Sequence, residues 1–480
     1  MTHVPTTDRT EPRAQVAADV TAIDVAARSP VLLLLGSGLV WLMISGVLAL
    51  ITSIQLHSPQ FLSQYSFLTY GRGEAMRETA FIYGWAGNAG LGVALWLLAR
   101  LGGNPLRGLN WAFAGTLFWN LGLLLGLIGI GAGEMTSFPL FQLPAYVQPF
   151  MVVAYIAIVI PGVLAWMGRR TDTTFAAQWY AIAALFVFPW LSSIAQLVLL
   201  WTPLRGVSQA IGAGWFAQGL WTLWLTPLAL AAAYYVIARA SGRVLPNYDA
   251  APLAFWTLIV VGAWTGARHL IGGPIPVWIV STAIVGAVVL LVHYAIVAMN
   301  LRSGFGVRGT GVGLVRLGVL AYVLAGVLDA VTAFRSVAVL TQFTFLGTAL
   351  QQLALYGGIS VILLGAIYFM VPRLTGSPWV SATLAVGHRW LLLLGLLVLL
   401  AALVAAGVLQ SADLTNKDVP FSDLVQHIKT PLMIASAGQL TLLVASILLL
   451  VNFLQTASAS VAADVAALNP IREAKEGAAS

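Results

Sequence analysis

The chain has 480 residues, of which 60% are hydrophobic and only 8% are charged. Soluble domains carry about 25% charged residues, so this composition is typical of a polytopic membrane protein. The net charge of +7 does not indicate a nucleic-acid partner, because the positive residues are scattered in short segments between apolar runs. The chain has no cysteine, which excludes disulfides, thiolate-bound metals and iron–sulfur clusters.

Apolar runs of about 20 residues recur along the chain, and each is long enough to cross a bilayer as a helix. The runs are continuously apolar rather than alternating, which excludes a membrane β-barrel. Backbone groups in lipid must be satisfied within the segment, so we expect an all-α bundle of twelve transmembrane helices. In chain order the predicted spans cover residues 30–54, 78–99, 109–131, 146–167, 177–201, 212–238, 252–272, 277–299, 314–334, 343–371, 388–408 and 431–455.

The distribution of positive residues predicts the orientation of the bundle. Most arginines fall in the two terminal segments and in alternate connections, such as those that hold Arg100, Arg107, Arg169 and Arg170. Positive residues favour the cytoplasmic side, so we expect both termini in the cytoplasm. The chain then divides into a cytoplasmic N-terminal segment (1–29), a twelve-helix membrane domain (30–455) and a cytoplasmic C-terminal tail (456–480).

Four strings within the spans resemble a known family. Residues 68–89, "LTYGRGEAMRETAFIYGWAGNA", resemble the second helix of subunit I of the cbb-type heme-copper oxidases, and residues 214–235, "GWFAQGLWTLWLTPLALAAAYY", resemble its sixth. Residues 255–270, "FWTLIVVGAWTGARHL", resemble the seventh helix, which typically reads FW…W-x-G-x-H-H-L. Residues 346–374, "LGTALQQLALYGGISVILLGAIYFMVPRL", resemble the tenth, where G-H-x-H-S-G precedes a similar ending. The resemblance covers roughly residues 30–455 and implies the heme-copper oxidase subunit I fold in a bacterial inner membrane.

The resemblance also implies six histidine ligands, for a low-spin heme, a high-spin heme and a copper ion. Residue by residue, the low-spin heme ligand of the second helix falls on Arg77, and the two heme ligands of the tenth helix fall on Leu350 and Gln352. One ligand of the six, His269, is retained. The three positions equivalent to copper ligands are Gln218, Arg268 and His269, and the tyrosine that assists the family's chemistry falls on Gly262.

These replacements predict that the chain binds no heme and no copper and has no catalytic residue. Arginine within a membrane normally faces a bundle interior or a cavity. Arg77 and Arg268 therefore either fill space vacated by hemes or extend to the membrane surface. Their candidate partners are Glu74, Glu78 and Asp329, and the sequence does not indicate which pairs form.

Two other features of the apolar spans have structural interpretations. Gln218, Gln351 and Gln352 are expected to hydrogen-bond across helices. Within the tenth span, we expect close helix–helix contact at Gly357, Gly358 and Gly365.

Three functions remain open from the sequence. The first is a degenerate cytochrome c oxidase subunit I-like scaffold or assembly subunit of a respiratory electron-transport complex. Its partners would be the lipid bilayer, other subunits of that complex and a c-type cytochrome on the outer face. The second is a true cytochrome c oxidase or nitric oxide reductase subunit with rearranged ligands, holding heme b and copper. The third is a channel or carrier that reuses the emptied heme cavities.

Overall fold

A computed structural model describes residues 11–478, and it describes the side chains of residues 20–463. No strand occurs in this part of the chain, and twelve helical segments are long and apolar enough to cross a membrane, as the sequence predicts. These spans are Val20–His57, Tyr70–Gly102, Leu109–Ala132, Val147–Met167, Ala176–Trp201, Val207–Ser241, Tyr248–Leu270, Val277–Gly304, Thr310–Thr332, Phe345–Thr375, Ala382–Thr415 and Phe421–Ala463.

Several helices are longer than the predicted spans. The first helix runs over Glu11–His57 and the last over Phe421–Ala478. The boundary at residue 29 falls inside the first of these helices and the boundary at residue 455 inside the last. The apolar pattern marks the part of a helix that crosses the membrane, whereas the helix itself continues into the polar flanking residues.

Three spans form the centre of the bundle. The most apolar stretch of the second span is entirely buried, and the corresponding stretches of the sixth and tenth spans are 94% buried. In the other nine spans at most about half of this stretch is buried. Their exposed side is apolar, as Leu117, Ile128 and Val153 illustrate. The outer spans therefore present a lipid-facing surface around an inner ring of three helices.

Each inner span contains a π-helical segment: Ala80–Gly87 in the second, Leu220–Leu225 in the sixth and Leu353–Ser360 in the tenth. π-helical turns are uncommon and often occur at functional sites. The positions of Arg77, Gln218 and Gln352 lie just before these segments. The three inner helices are thus irregular where they carry the residues singled out by the sequence.

Aromatic side chains pack together where the third, fourth, fifth and sixth spans meet. Trp224, Tyr155, Trp119 and Phe188 are at most 1% exposed. The ring centroid of Phe188 lies 4.4 Å from that of Tyr155 and 4.4 Å from that of Trp224. Such pairs add to the apolar burial of the rings themselves. The centre of the bundle is therefore a packed core.

Candidate functional site

The first group of sequence-predicted residues lies at the start of the second span. A short α-helix, Tyr70–Thr79, places Glu74 and Glu78 on either side of Arg77, within one helical turn of it. The Arg77 Nε donates to Glu74 Oε2 at 2.8 Å, and a second nitrogen contacts the other oxygen of the same carboxylate. Glu78 Oε1 lies 3.6 Å from the Arg77 guanidinium. Both candidate partners therefore contact Arg77, and the bidentate contact with Glu74 is the stronger.

Two glutamines extend this cluster towards neighbouring segments. Gln142, in the connection after the third span, donates its side-chain amide to Glu78 Oε2 at 2.7 Å. Gln351 of the tenth span also reaches the Glu78 carboxylate. Gln351 therefore lies near an acidic side chain on the second span, as a cross-helix interaction requires.

Arg77 and Gln352 line the same small cavity. The other lining residues come from the first, second, tenth and twelfth spans: Leu42, Ser45, Gly46, Ala49, Phe81, Tyr356, Gln439, Leu442, Leu443 and Ser446. The empty volume is about 350 Å³, a value that includes the part open to solvent. Leu350 is not among the lining residues, and its side chain is only partly buried. The helical spacing explains the difference, because residues two apart point about 200° from each other.

The second group lies where the sixth and seventh spans meet. The seventh span is an α-helix over Ala251–Val261 and a 3₁₀-helix over Gly262–Leu270. Arg268 is buried, donates to the Thr265 carbonyl at 2.9 Å and forms an ion pair with Asp329 of the ninth span. Its neighbour His269 has an exposed side chain. Burial and ion pairing place both arginines in the bundle interior rather than at its surface.

Gln218 and Gly262 contribute to close contact between the sixth and seventh spans. A Cβ on Gly266 would lie 2.9 Å from Gln218 Cβ, so Gln218 packs directly against the 3₁₀-helix. A Cβ on Gly262 would lie 2.8 Å from the Thr222 side chain. The Gly262 position therefore has no room for a larger side chain unless the backbone shifts.

Comparisons with known proteins identify the family. The family model described as cytochrome C and quinol oxidase polypeptide I matches residues 29–441. The chain belongs to this heme-copper oxidase subunit I superfamily.

Its curated relatives in the superfamily are distant. A "cytochrome c oxidase subunit 1 homolog" of Agrobacterium tumefaciens (strain T37) is 24% identical, over 77% of this chain and 71% of that protein. The "cytochrome c oxidase subunit 1" of Rhodobacter capsulatus is 22% identical, over 77% of this chain and 73% of that protein. The chain is therefore a distant homologue of cytochrome c oxidase subunit 1.

A solved structure of a heme-copper terminal oxidase dimer superimposes with a TM-score of 0.73 at 15% sequence identity, covering 91% of this chain and 84% of the other. This likeness confirms the fold predicted from the four strings.

The side chains at the positions predicted to correspond to heme ligands do not fit axial ligation of iron. The guanidinium of Arg77 has no free lone pair and is engaged by two carboxylates. The amide of Gln352 is an oxygen or nitrogen donor far weaker than imidazole for iron, and Leu350 offers no donor. The cavity shared by Arg77 and Gln352 is itself lined by the rings of Phe81 and Tyr356.

The copper positions do not fit a three-nitrogen site either. Arg268 is held by Asp329 and Thr265, and the exposed His269 offers one nitrogen ligand. Across the residues that the structure describes, no group of three or more His, Cys, Asp and Glu side chains is arranged to hold a metal ion. At the predicted heme and copper positions alike, the polar side chains are therefore mainly ion-paired arginines and amides.

The structure also shows a polar chain that the sequence analysis did not find in this oxidase-family protein. His293 of the eighth span is fully buried, with Nε2 2.8 Å from the Tyr322 hydroxyl and Nδ1 2.7 Å from the Ala254 carbonyl oxygen. The rings of Tyr322 and Tyr294 lie 5.2 Å apart. The charges of the Arg268–Asp329 pair act on Tyr294 through space, without a hydrogen bond between them. The sequence gives little indication of these polar contacts, because tyrosine and histidine inside apolar spans are also common packing residues.

Proposed function

We propose that this chain is a degenerate homologue of cytochrome c oxidase subunit I that binds neither heme nor copper. In this proposal it acts as a membrane scaffold or assembly subunit of a respiratory electron-transport complex. Both termini are cytoplasmic, with residues 1–29 and 456–480 on that side and a membrane domain over 30–455. Other subunits of the complex, including a c-type cytochrome, contact the outer face.

The observation that carries the proposal is the state of Arg77. It stands at a heme-ligand position, yet its guanidinium forms a bidentate contact with Glu74 and a second contact with Glu78. A charged pair at membrane depth is costly unless its members satisfy one another, so this cluster favours a structural role over a vacant ligand site. The Arg268–Asp329 pair supports the same interpretation at a copper position.

The scaffold role is supported by what the chain retains. Its relatives are subunits of oxidases by name, and the twelve-helix fold with its lipid-facing surface is kept. A protein that retains this fold without the ligands can still contribute to a complex through contacts with other subunits. We therefore infer that its contribution is made through those contacts.

The first test is spectroscopic. The full chain is purified from bacterial membranes, and its reduced-minus-oxidised absorption spectrum is recorded together with its iron and copper content. We expect less than about 0.1 heme and 0.1 copper per chain, because the donor sets fit neither group. Heme at one equivalent per chain would contradict the proposal.

The second test separates a scaffold from an oxidase with rearranged ligands. In a strain that lacks this chain, we measure assembly of the respiratory complex and then reintroduce wild type, Gln352→Ala or His269→Ala. A scaffold that uses neither residue as a ligand is expected to restore assembly and oxygen consumption equally in all three cases. A selective loss of oxygen consumption in either variant, with assembly intact, would favour the oxidase.

A second candidate function is a proton channel or carrier, which one observation favours. A row of polar groups inside the bundle begins at the Arg268–Asp329 ion pair. It continues with Tyr294 and Tyr322 and ends at the buried His293. Proton flux into proteoliposomes with wild type and Arg268→Ala tests it. Flux in wild type that falls at least tenfold in the variant would establish the channel, and flux equal to that of empty liposomes would exclude it.

A further inference from the structure

The cavity that Arg77 and Gln352 share has polar side chains on several of its walls. Six of its twelve lining residues are polar, and they come from the first, second, tenth and twelfth spans: Ser45, Arg77, Gln352, Tyr356, Gln439 and Ser446. Arg77 and Gln352 each stand seven residues after the first residue of their spans, so both lie about 10 Å below the start of the helix at 1.5 Å per residue. Polar groups at this depth in a membrane are costly unless they are hydrogen-bonded.

Three of these side chains have partners within the protein. The Ser45 hydroxyl donates to the Arg77 carbonyl oxygen at 3.1 Å, and the Ser446 hydroxyl donates to the Leu442 carbonyl oxygen at 2.9 Å. Arg77 uses its Nε and one terminal nitrogen for the carboxylate of Glu74. The other terminal nitrogen, Nη1, has no hydrogen bond to the residues that the structure describes, so its two N–H groups remain able to donate.

The carboxamides of Gln352 and Gln439 have no such partner. Both line the cavity, and neither side chain hydrogen-bonds to another residue in the described part of the chain. The sequence predicts a cross-helix contact for Gln352, but the neighbour that reaches another helix is Gln351. An amide that lacks a partner in apolar surroundings costs free energy comparable to a lost hydrogen bond. Two such amides in one cavity therefore indicate a hydrogen-bonding ligand between them.

The charges around the cavity favour a neutral ligand. Arg77 is the charged residue in the lining, whereas Glu74 and Glu78, which contact Arg77, are not part of the lining. A cation would therefore meet the guanidinium, and an anion would meet a guanidinium that two carboxylates already engage. Carboxamides both donate and accept hydrogen bonds. The ligand is thus a neutral molecule that does the same.

The cavity is narrow between its helices. A Cβ on Gly46 of the first span would lie 3.1 Å from the Leu443 side chain of the twelfth, so these two helices are in contact beside the cavity. Another wall is closed by the rings of Phe81 and Tyr356, whose centroids lie 5.6 Å apart. Water is small and neutral, and buried water typically makes about three hydrogen bonds to polar groups that are otherwise unsatisfied. The two amides and the Arg77 guanidinium supply partners of this kind.

We propose that this cavity binds ordered water, which bridges the amides of Gln352 and Gln439 and hydrates the Arg77 guanidinium. The water completes the hydrogen bonding of amides on two different spans and so links the tenth span to the twelfth. It stabilises Arg77 from the cavity, while Glu74 and Glu78 stabilise the same guanidinium from outside the lining. This solvent site at membrane depth is independent of the scaffold function proposed above.

The test detects water beside buried rings. The full chain in nanodiscs is exposed to short synchrotron X-ray pulses, which convert water to hydroxyl radicals, and the oxidation of each ring is measured by mass spectrometry. A buried ring is labelled when water is bound next to it. We expect Phe81 and Tyr356 to be oxidised at least about fivefold faster than Phe188 and Tyr155, which are the same residue types in the packed aromatic core. Equal oxidation of the two pairs would overturn the proposal.

Variants show whether the two amides hold the water. Gln352→Leu combined with Gln439→Leu should lower the oxidation rates of Phe81 and Tyr356 at least about threefold, because leucine fills the space and offers no hydrogen bond. Gln455→Leu is the matched control, since it makes the same change at an exposed position of the twelfth span and should leave both rates unchanged.

If the double variant does not fold, each single variant is measured, and a decrease is expected in both. Rates that stay at the wild-type values in these variants overturn the proposal, as does an equal decrease in Gln455→Leu. It is also overturned if native mass spectrometry finds an organic molecule that is bound to wild type and lost when the amides are replaced.

Discussion

At the residue scale, the two arginines at predicted ligand positions, Arg77 and Arg268, are ion-paired. The sequence named Glu74, Glu78 and Asp329 as possible partners of the two arginines without assigning them. The structure pairs Arg77 with both glutamates and Arg268 with Asp329. The spacing explains the pair with Glu74, which stands three residues before Arg77 on the same helix face, whereas Glu78 is the next residue and stays at 3.6 Å.

The two glutamates contribute unequally. Glu74 makes the bidentate contact with Arg77, whereas Glu78 lies at 3.6 Å and shares its carboxylate with Gln142. We expect Glu74→Gln to lower the free energy of unfolding by about 2 kcal/mol and Glu78→Gln by about 1 kcal/mol or less. Thermal unfolding of the detergent-solubilised variants measures the difference, and an equal loss in the two would show that the bidentate geometry does not matter.

The Arg268–Asp329 pair allows a cleaner test of burial. Removal of one partner leaves a charge in the interior, and a quarter of the Asp329 side chain is exposed, which moderates the cost. We expect Asp329→Leu to lower the free energy of unfolding by about 2–3 kcal/mol. The double variant Arg268→Leu with Asp329→Leu should recover most of that loss, because no charge is left unpaired. Failure of the double variant to exceed the single one in thermal stability would contradict this account.

At the element scale, glycines determine how closely the ninth and tenth spans approach. A Cβ on Gly365 would lie 2.6 Å from the Gly311 carbonyl oxygen, and one on Gly358 would lie 3.2 Å from Tyr322 Cα. The close contacts predicted at these two positions are confirmed. At Gly357 the nearest atoms stand at 3.4 Å, which is ordinary packing distance. The glycines in the sequence predicted a face of close helix–helix contact. Only the position of the neighbouring helix shows at which of them a side chain would clash.

Gly365→Ala tests this interface. The added methyl group meets backbone of the ninth span, which cannot move as a side-chain tip can. We expect a loss of about 1–3 kcal/mol in the free energy of unfolding, measured by thermal denaturation in detergent. Gly347→Ala is the matched control in the same span, since a Cβ there meets nothing within 4 Å and should leave stability unchanged or slightly raised. A loss in the control as large as in Gly365→Ala would show that helix geometry, not packing, is responsible.

At the scale of the whole molecule, aromatic side chains of the chain itself fill the interior where the third to sixth spans meet. Trp224, Trp119, Tyr155 and Phe188 pack together in the centre of the bundle. Dense packing of this kind stabilises a fold without a cofactor. The chain thus has low sequence identity to oxidase subunits and the same helical fold.

This packing predicts stability that does not depend on heme. Protein produced in a host unable to synthesise heme is expected to unfold within about 2 °C of protein from a heme-competent host, since no ligand would be missing. Circular dichroism during heating measures both transitions. An increase of 5 °C or more on addition of hemin to the heme-free preparation would show that the fold does bind the cofactor.

The sequence by itself determined the membrane class, the count of spans and the family, because continuous apolar runs and local strings such as "GAIYFMVPRL" are properties of neighbouring residues. It also predicted Arg77, Arg268 and Gln352 as replacements of ligands, since comparison with a motif needs only order and spacing. The tertiary structure decided which carboxylates pair with the arginines, that Arg77 and Gln352 share one cavity, and that Gln351 reaches Glu78. These contacts join segments far apart in the chain, and their geometry depends on how the helices pack rather than on any local pattern.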